Sequence, residues 1–325
     1  MSMGARFANE LPDAMSRGVH HSSVVDMPTQ SNGVVEMPTQ SNGLPRLTLV
    51  ISTIQRTTTL IRLLCSLRAQ EFKDFETIIV DQNVDDRLVP ILLPFKESLN
   101  LSHLRASGEK GVSRGRNIGW RKAQGDVVVF PDDDCWYPPC FLRRGLEIMD
   151  ATAADIVSGR PGDEKGRVIN GRFGRRRQCI TRHAVWTHQQ EWALFVRVSV
   201  LTDLNGFDDA IGIGSPTPWQ AAEGPDLILS ALRNGRRCYF DPSLMGFHSE
   251  FDLDDKAMTL KARQYGRGMG FVLRRHGFGI ISIIYWVSRP VVKAISLLIV
   301  GKFQRSNYYK SMAIGRFEGW RGRLF

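Results

Sequence analysis

Apolar residues arrive in short β-branched blocks separated by stretches of helical periodicity. Leu47–Thr53 reads as a buried first strand. Leu60, Leu63, Leu64 and Leu67 then recur at three- and four-residue spacing, which predicts a helix with cap candidates at Thr57 to Thr59. Residues 77–81 predict a second buried strand that ends on Asp81. A strand–helix–strand unit of this length argues for a parallel sheet. A short helix within 82–100, a third strand at 101–105, and a loop and helix over 111–123 capped by Ser113 follow. Residues 127–130 form an apolar run that Pro131, lacking an N–H, must end. Beyond it the pattern predicts a helix over 138–150, a strand at 155–159 and an aperiodic Gly/Arg-rich loop over 160–183. A strand at 192–196, a segment from 198 to 204, a largely buried helix over 222–233 and a strand at 238–240 complete the α/β part.

Composition adds boundaries. The chain has 325 residues, 42% hydrophobic and 23% charged, enough for a sizeable core. Residues 1–45 are rich in Ser, Gly, Pro, Asn and Gln and repeat VVDMPTQSNG as VVEMPTQSNG, so a disordered tail is expected. An α/β domain over 46–255 and a basic amphipathic helical region over 256–325 follow. Net charge is +10, but residues 256–325 hold fourteen Lys/Arg against Glu318 alone, which leaves −3 for the remainder. Such a region suits an anionic membrane surface or nucleic acid. Its aromatics (Tyr285, Trp286, Tyr308, Tyr309, Trp320) sit within or beside apolar helices and no nucleic-acid motif occurs, so no nucleic-acid partner is expected.

Residues 278–300 approach bilayer-spanning length, yet Arg289-Pro290 falls near the middle. A central Arg costs about 2.5 kcal/mol or more there. Two shorter interfacial helices broken at Pro290 are expected, with Arg274, Arg275, Lys302 and Arg305 facing lipid headgroups. A buried helical hairpin is the alternative, and the two can coexist. The five scattered cysteines suit reduced thiols. The polar N-terminus has no apolar h-region, so no secretory signal is expected and the location expected is cytoplasmic, peripheral on the inner face of the cell membrane.

The chemistry concentrates at Asp132, Asp133 and Asp134, directly after the 127–130 strand. The carboxyl end of a strand is where open α/β sheets bind ligands. Three adjacent carboxylates repel one another, and Mn²⁺ or Mg²⁺ shared with substrate phosphates would compensate them. A bare Asp triplet is often only an acidic surface turn; the buried strand before it and Trp136-Tyr137-Pro138-Pro139 after it favour a site. Asp81 holds the place of a ribose- or base-binding acid, although an Asp there is about as often a turn former. No G-x-G-x-x-G and no Walker loop follow the first strand, so a dinucleotide cofactor is not expected. Arg114 and Arg116 form a candidate anion site, or else two solvated arginines. Glu223 and Asp226 fall at the start of the 222–233 helix, where carboxylates also serve as caps.

Ser52-Thr53, Asp81, Arg114-Gly115-Arg116-Asn117-Ile118-Gly119, Gly125-Asp126 with Phe130 to Asp134, Gly206-Phe207-Asp208 and Glu223-x-x-Asp226-Leu227 stand in an informative order. Over roughly residues 46–250 the set resembles a family-2 inverting glycosyltransferase of GT-A fold, bacterial surface-polysaccharide type. The resemblance implies an α/β GT-A (Rossmann-like) mixed, mainly parallel sheet flanked by helices, here with a C-terminal helical membrane-associating extension. It implies transfer of a sugar from a nucleotide-diphosphate sugar to a carbohydrate or lipid-linked acceptor hydroxyl, with inversion. Thr53 and Asp81 would hold the nucleoside, Arg116 would lie near the diphosphate, and Asp132 and Asp133 would contact the nucleotide-sugar. Asp132, Asp134 and His248 would supply metal ligands. One departure stands out: where the family has a middle Asp as base, this chain has Gly224. Glu223 is then the expected base, with Asp226 the alternative, and an impaired enzyme that only binds nucleotide-sugar is the corollary. A nucleotidyltransferase is the competing class, but Thr53-Ile54-Gln55-Arg56-Thr57 lacks its glycine-rich basic loop.

Overall fold

A computed structural model describes residues 43–324. The expected tail therefore lies, up to residue 42, outside the described residues. The strands are β1 (Leu47–Thr53), β2 (Phe75–Asp81), β3 (Leu101–Arg105), β4 (Val127–Val129), β5 (Cys135–Trp136), β6 (Ile156–Gly162), β7 (Gln178–Cys179), β8 (Leu194–Arg197) and β9 (Cys238–His248). The helices are α1 (Thr58–Arg68), α2 (Val89–Leu92), α3 (Val112–Trp120), α4 (Phe141–Thr152), α5 (Val198–Leu204), α6 (Glu223–Arg233), α7 (Lys256–Arg275), α8 (Ile280–Ile299) and α9 (Phe303–Arg321).

One sheet runs β3-β2-β1-β4-β8-β6-β9-β5, with β7 on β9. The first four strands are parallel, as the β-branched blocks and the intervening helices require. Their carboxyl ends therefore share one edge. β8 enters antiparallel between β4 and β6, so the residues just before it lie beside the carboxyl end of β4. β5 turns back antiparallel on β9, which pairs Cys135 with His248. These two reversals bring distant chain to the acidic turn.

Glycine sets the approach of α3 to the sheet. A Cβ at Gly115 would strike the Ser52 hydroxyl, and one at Gly119 would strike Val50 Cγ1. Ser113 does not cap α3 as expected: it lies inside the first turn and its hydroxyl donates to the Ile211 carbonyl at 2.5 Å.

The C-terminal helices pack closely, also through glycine. In α7, a Cβ on Gly266 would stand 2.6 Å from the Met312 carbonyl oxygen, and one on Gly270 would strike the Arg316 carbonyl. Gly315 and Gly319 of α9 answer against Arg263 and Arg267. α7 also meets the α/β part, with Gly268 set against the Ala221 carbonyl just ahead of α6. The expected division at 255/256 thus runs through shared packing.

Pro290 does not break the chain into two helices; α8 continues through it. Proline removes the N–H that would have served the Trp286 carbonyl. Arg316 of α9 donates to that carbonyl instead, at 2.5 Å.

Candidate active site

A cleft of about 450 Å³ opens at the shared strand edge, lined among others by Ser52, Asp132, Asp133, Asp134, Glu191, Glu223 and His248. Thr53 Oγ1 donates to Asp133 Oδ2 at 2.7 Å, and Arg56 Nε lies 3.3 Å from Asp133 Oδ1. Burial still pushes the Asp133 carboxyl up to about 7 against both partners. Arg56 also pairs with Asp134, whose other oxygen is 3.2 Å from His248 Nε2. Burial alone would raise Asp134, but the hydrogen bond and charge of His248, with Arg56, outweigh it and hold this carboxyl below its ordinary value. Burial opposes charging of His248 in turn; the Asp134 hydrogen bond and charge overcome it and raise the imidazole. The ring is oriented by the Ser249 carbonyl, 2.6 Å from Nδ1, and stacks near Trp192.

The donor set for a divalent ion is a pair and not a cage. Asp134 and His248 stand together, but Asp132 Oδ1 is taken by Arg116 Nη2 at 2.8 Å. Among the described residues no group of three His, Cys, Asp or Glu side chains is arranged to hold a metal. Asp132 is thus not drawn into the expected ligand trio. A carboxylate–imidazole pair fits a divalent ion only where substrate phosphates complete the shell, and the imidazole is a poorer ligand for hard Mg²⁺ than the carboxylate is.

Arg116, expected near the diphosphate, is instead a buried strut at 2% exposure. It joins Asp132 to Glu223, 3.1 Å away, and lies over the Phe207 ring. Arg114 turns to Glu109 at 3.0 Å and Asp209 at 3.5 Å, so the two arginines form no common anion site. Asn117 fixes the neighbouring Gly206-Phe207-Asp208 turn, donating to the Phe207 carbonyl and accepting from the Phe207 amide.

The two carboxylates of α6 point to different places. Glu223 lines the cleft. Asp226 faces a second hollow with Asn117 and Arg275, where it meets His276 Nε2 at 2.7 Å and Arg275 Nε at 3.3 Å. The geometry removes Asp226 from contact with cleft chemistry. Asp81 is fully buried beneath the cleft and already accepts from Asn83, His103 and Arg105. Thr53 is likewise buried and reaches the site through Asp133.

Sequence reading passed over Arg56, Lys110, Glu191, Trp192, Lys261 and Tyr265, all in the cleft wall. Glu191 begins a 3₁₀ turn that feeds β8, so the antiparallel pairing of β8 with β4 carries it to the acidic turn. Burial first, then the nearby Glu223 charge, pushes Glu191 up to about 7. Burial likewise raises the Tyr265 hydroxyl. Cys135 beside the acidic turn is an inert thiol: burial drives its pKa well up, and it bonds to the Asp132 carbonyl.

Residues 48–198 match the family model "Glycosyl transferase family 2". An uncharacterized glycosyltransferase of Haemophilus influenzae is 32% identical over 104 residues, 32% of this chain and 34% of that protein. The poly(ribitol-phosphate) beta-N-acetylglucosaminyltransferase TarS of Staphylococcus aureus is 27% identical over 112 residues, 33% of this chain and 19% of TarS. The chain thus spans 34% and 19% of the length of these two curated relatives. Among solved structures, S. aureus TarS 1–349 superimposes with a TM-score of 0.54 at 16% identity, covering 86% of this chain and 93% of that one. The mannosyltransferase PcManGT from Pyrobaculum calidifontis, solved with GDP-Man and Mn²⁺, gives 0.59 at 13% identity, covering 87% and 90%. Identities this low speak for the fold alone. The segment 48–198 is thus similar to the family-2 glycosyltransferase domain, and the fold around it is that of the solved glycosyltransferases.

Proposed function

We propose that the protein transfers a sugar from a nucleoside-diphosphate sugar to an acceptor hydroxyl with inversion, using Mn²⁺ or Mg²⁺. The observation that carries this is one cleft in which the Asp132–Asp133–Asp134 turn, cationic Arg56, Lys110 and Lys261, and the carboxylates Glu191 and Glu223 all meet. The named relatives that handle nucleotide-sugars support it. Lys110 and Lys261 suit the charge of a diphosphate. Thr53 fixes Asp133, which would face the nucleotide end, and Asp81 would brace the β2 end through Asn83. Asp134 and His248 would hold the divalent ion, which when bound neutralises charge on the departing diphosphate. Arg116 keeps Asp132 and Glu223 at fixed separation. A poor hydroxyl nucleophile needs one base within hydrogen-bond reach, and direct displacement gives inversion. Glu223, the residue the sequence suggests, and Glu191 are the two cleft carboxylates outside the acidic turn.

The acceptor we propose is a carbohydrate or lipid-linked one, met at a membrane surface from the cytoplasmic side. α8 supports this reading: it is long and apolar enough to cross a membrane, and Ile281, Ile284, Val292 and Ile299 are exposed. The flanking cations are mostly occupied, since Arg275 pairs with Asp208 and Asp226, Arg305 with Asp254, and Arg274 with the Arg321 carbonyl. Apolar insertion thus contributes more than headgroup pairing.

The test is nucleotide release from a panel of nucleotide-sugars with Mn²⁺ or Mg²⁺, beside calorimetric binding. Metal-dependent release is the expected result. Binding of no nucleotide-sugar at all would sink the reading, and binding without turnover in the presence of lipid extract would mark an impaired enzyme.

A further inference from the structure

We propose that Glu191 is the general base of this cleft, in place of either carboxylate on α6. The proposal rests on the glycosyltransferase reading above. In the step, the acceptor oxygen bonds to the anomeric carbon while that carbon's bond to the phosphate oxygen breaks. The nucleoside diphosphate leaves with the electron pair, and the acceptor proton passes to the Glu191 carboxylate, which later releases it to water.

Elimination among the cleft carboxylates carries the argument. Asp132 and Glu223 are both tied to the Arg116 guanidinium. Asp133 is held by Thr53 and Arg56, and Asp134 by Arg56 and His248. A carboxylate paired with a fixed cation gives up that ion pair when it takes a proton. Glu191 has no such ion pair among the described residues: the side-chain amides of Gln189 and Gln190 each donate to it at 3.4 Å, its own backbone N–H also bonds to it, and Arg116 acts on it only through its charge. Among the cleft carboxylates it can take a proton without breaking an ion pair.

Gly224 supplies the second argument. A Cβ at that position would stand 2.5 Å from Glu191 Cγ and 3.1 Å from its Cδ. The missing side chain on α6 is therefore the space that the Glu191 stem fills. An acid delivered from the β8 side takes up the volume beside Glu223. Its pKa, pushed up to about 7 by burial and by Glu223, agrees with a group poised between its two protonation states.

The experiment compares wild type, Glu191→Gln and Glu191→Ala for donor binding and for nucleotide release, with and without sodium azide. Azide is a nucleophile with no proton to lose, so it bypasses a missing base. We expect Glu191→Gln to bind donor within about threefold of wild type while release falls by about 10²-fold or more. Azide should restore release in Glu191→Ala with formation of a glycosyl azide. Wild-type release in Glu191→Gln, parallel loss of donor binding, or no glycosyl azide from Glu191→Ala would each overturn the assignment. If the wild type itself binds no nucleotide-sugar, the glycosyltransferase reading fails instead, which keeps the two failures distinct.

Discussion

The two walls of the cleft are made by different means. On one wall, the Asp132–Asp134 turn follows β4, backed by Thr53 and Asp81 at the buried ends of the parallel β1 and β2. Each sits where a local apolar block stops. On the other, Glu191, Glu223, Lys261 and Tyr265 come from a 3₁₀ turn, a helix start and the face of α7. Nothing local places them together; antiparallel closure of β8 and the packing of α7 do. The contrast teaches that the first wall is set by strand order, while the second depends on long-range packing and tolerates substitution less predictably.

The sharpest way to break the contrast is at its two chemical centres. Asp134→Ala removes a carboxylate shared by Arg56 and His248. Metal-dependent nucleotide release should fall by about 10²–10³-fold, the scale of losing one preorganised electrostatic partner. Melting should move little, because Asp134 and both its partners, Arg56 and His248, line the cleft. Equal release in the variant would remove the acidic turn from the mechanism.

Glu223→Gln and Asp226→Asn test whether two acids in one helical turn do different work. Glu223→Gln leaves Arg116 with a neutral partner and should lower turnover, since Arg116 also orients Asp132. Asp226→Asn should leave donor binding alone and cost stability of about 1–3 kcal/mol, because His276 and Arg275 lose a charged acceptor. Denaturant melts set beside turnover separate the two. A loss of turnover in Asp226→Asn without destabilisation would return Asp226 to the chemistry.

How much of this was legible follows the same divide. β1 was readable to the residue, because six of its seven positions, all but Ser52, are apolar or β-branched. The acidic turn was readable because Pro131 had to end the strand before it. The burial of Arg116 was not legible: Gly115 and Gly119 draw α3 so close to β1 that the guanidinium is enclosed between Asp132 and Glu223. Glu191 falls between the aperiodic loop over 160–183 and the strand read at 192–196, and the reversed direction of β8 is what carries it to the acidic turn. Pro290 was read as a break because the sequence cannot show Arg316 reaching the orphaned carbonyl from another helix.

Gly268→Ala probes the packing that orders the second wall. The added methyl would meet the Ala221 carbonyl, next to Ala222, which already holds a left-handed φ of 77°. Overpacking there should cost about 1–3 kcal/mol. Because α6 starts immediately after, turnover should fall more than donor affinity. A variant with unchanged melting and unchanged turnover would show that α7 merely rests on the domain.

The smallest effect on the folded protein, and the clearest on location, is expected from α8. Ile281 and Ile299 are 81% and 79% exposed, while Ile283, Ala294 and Leu297 on the other face are buried. Exposed positions of this kind usually change stability by no more than about 0.5 kcal/mol. Ile281→Asp with Ile299→Asp should therefore leave melting and release from soluble donor unchanged. Sedimentation with anionic vesicles should drop sharply, since apolar insertion is opposed by two added charges that also repel the headgroups. Because Arg275 and Arg305 are already paired within the protein, raising salt should weaken vesicle binding less than the double substitution does. The reverse order, salt erasing binding while the aspartates leave it intact, would assign the surface to charge and not to the apolar face of α8.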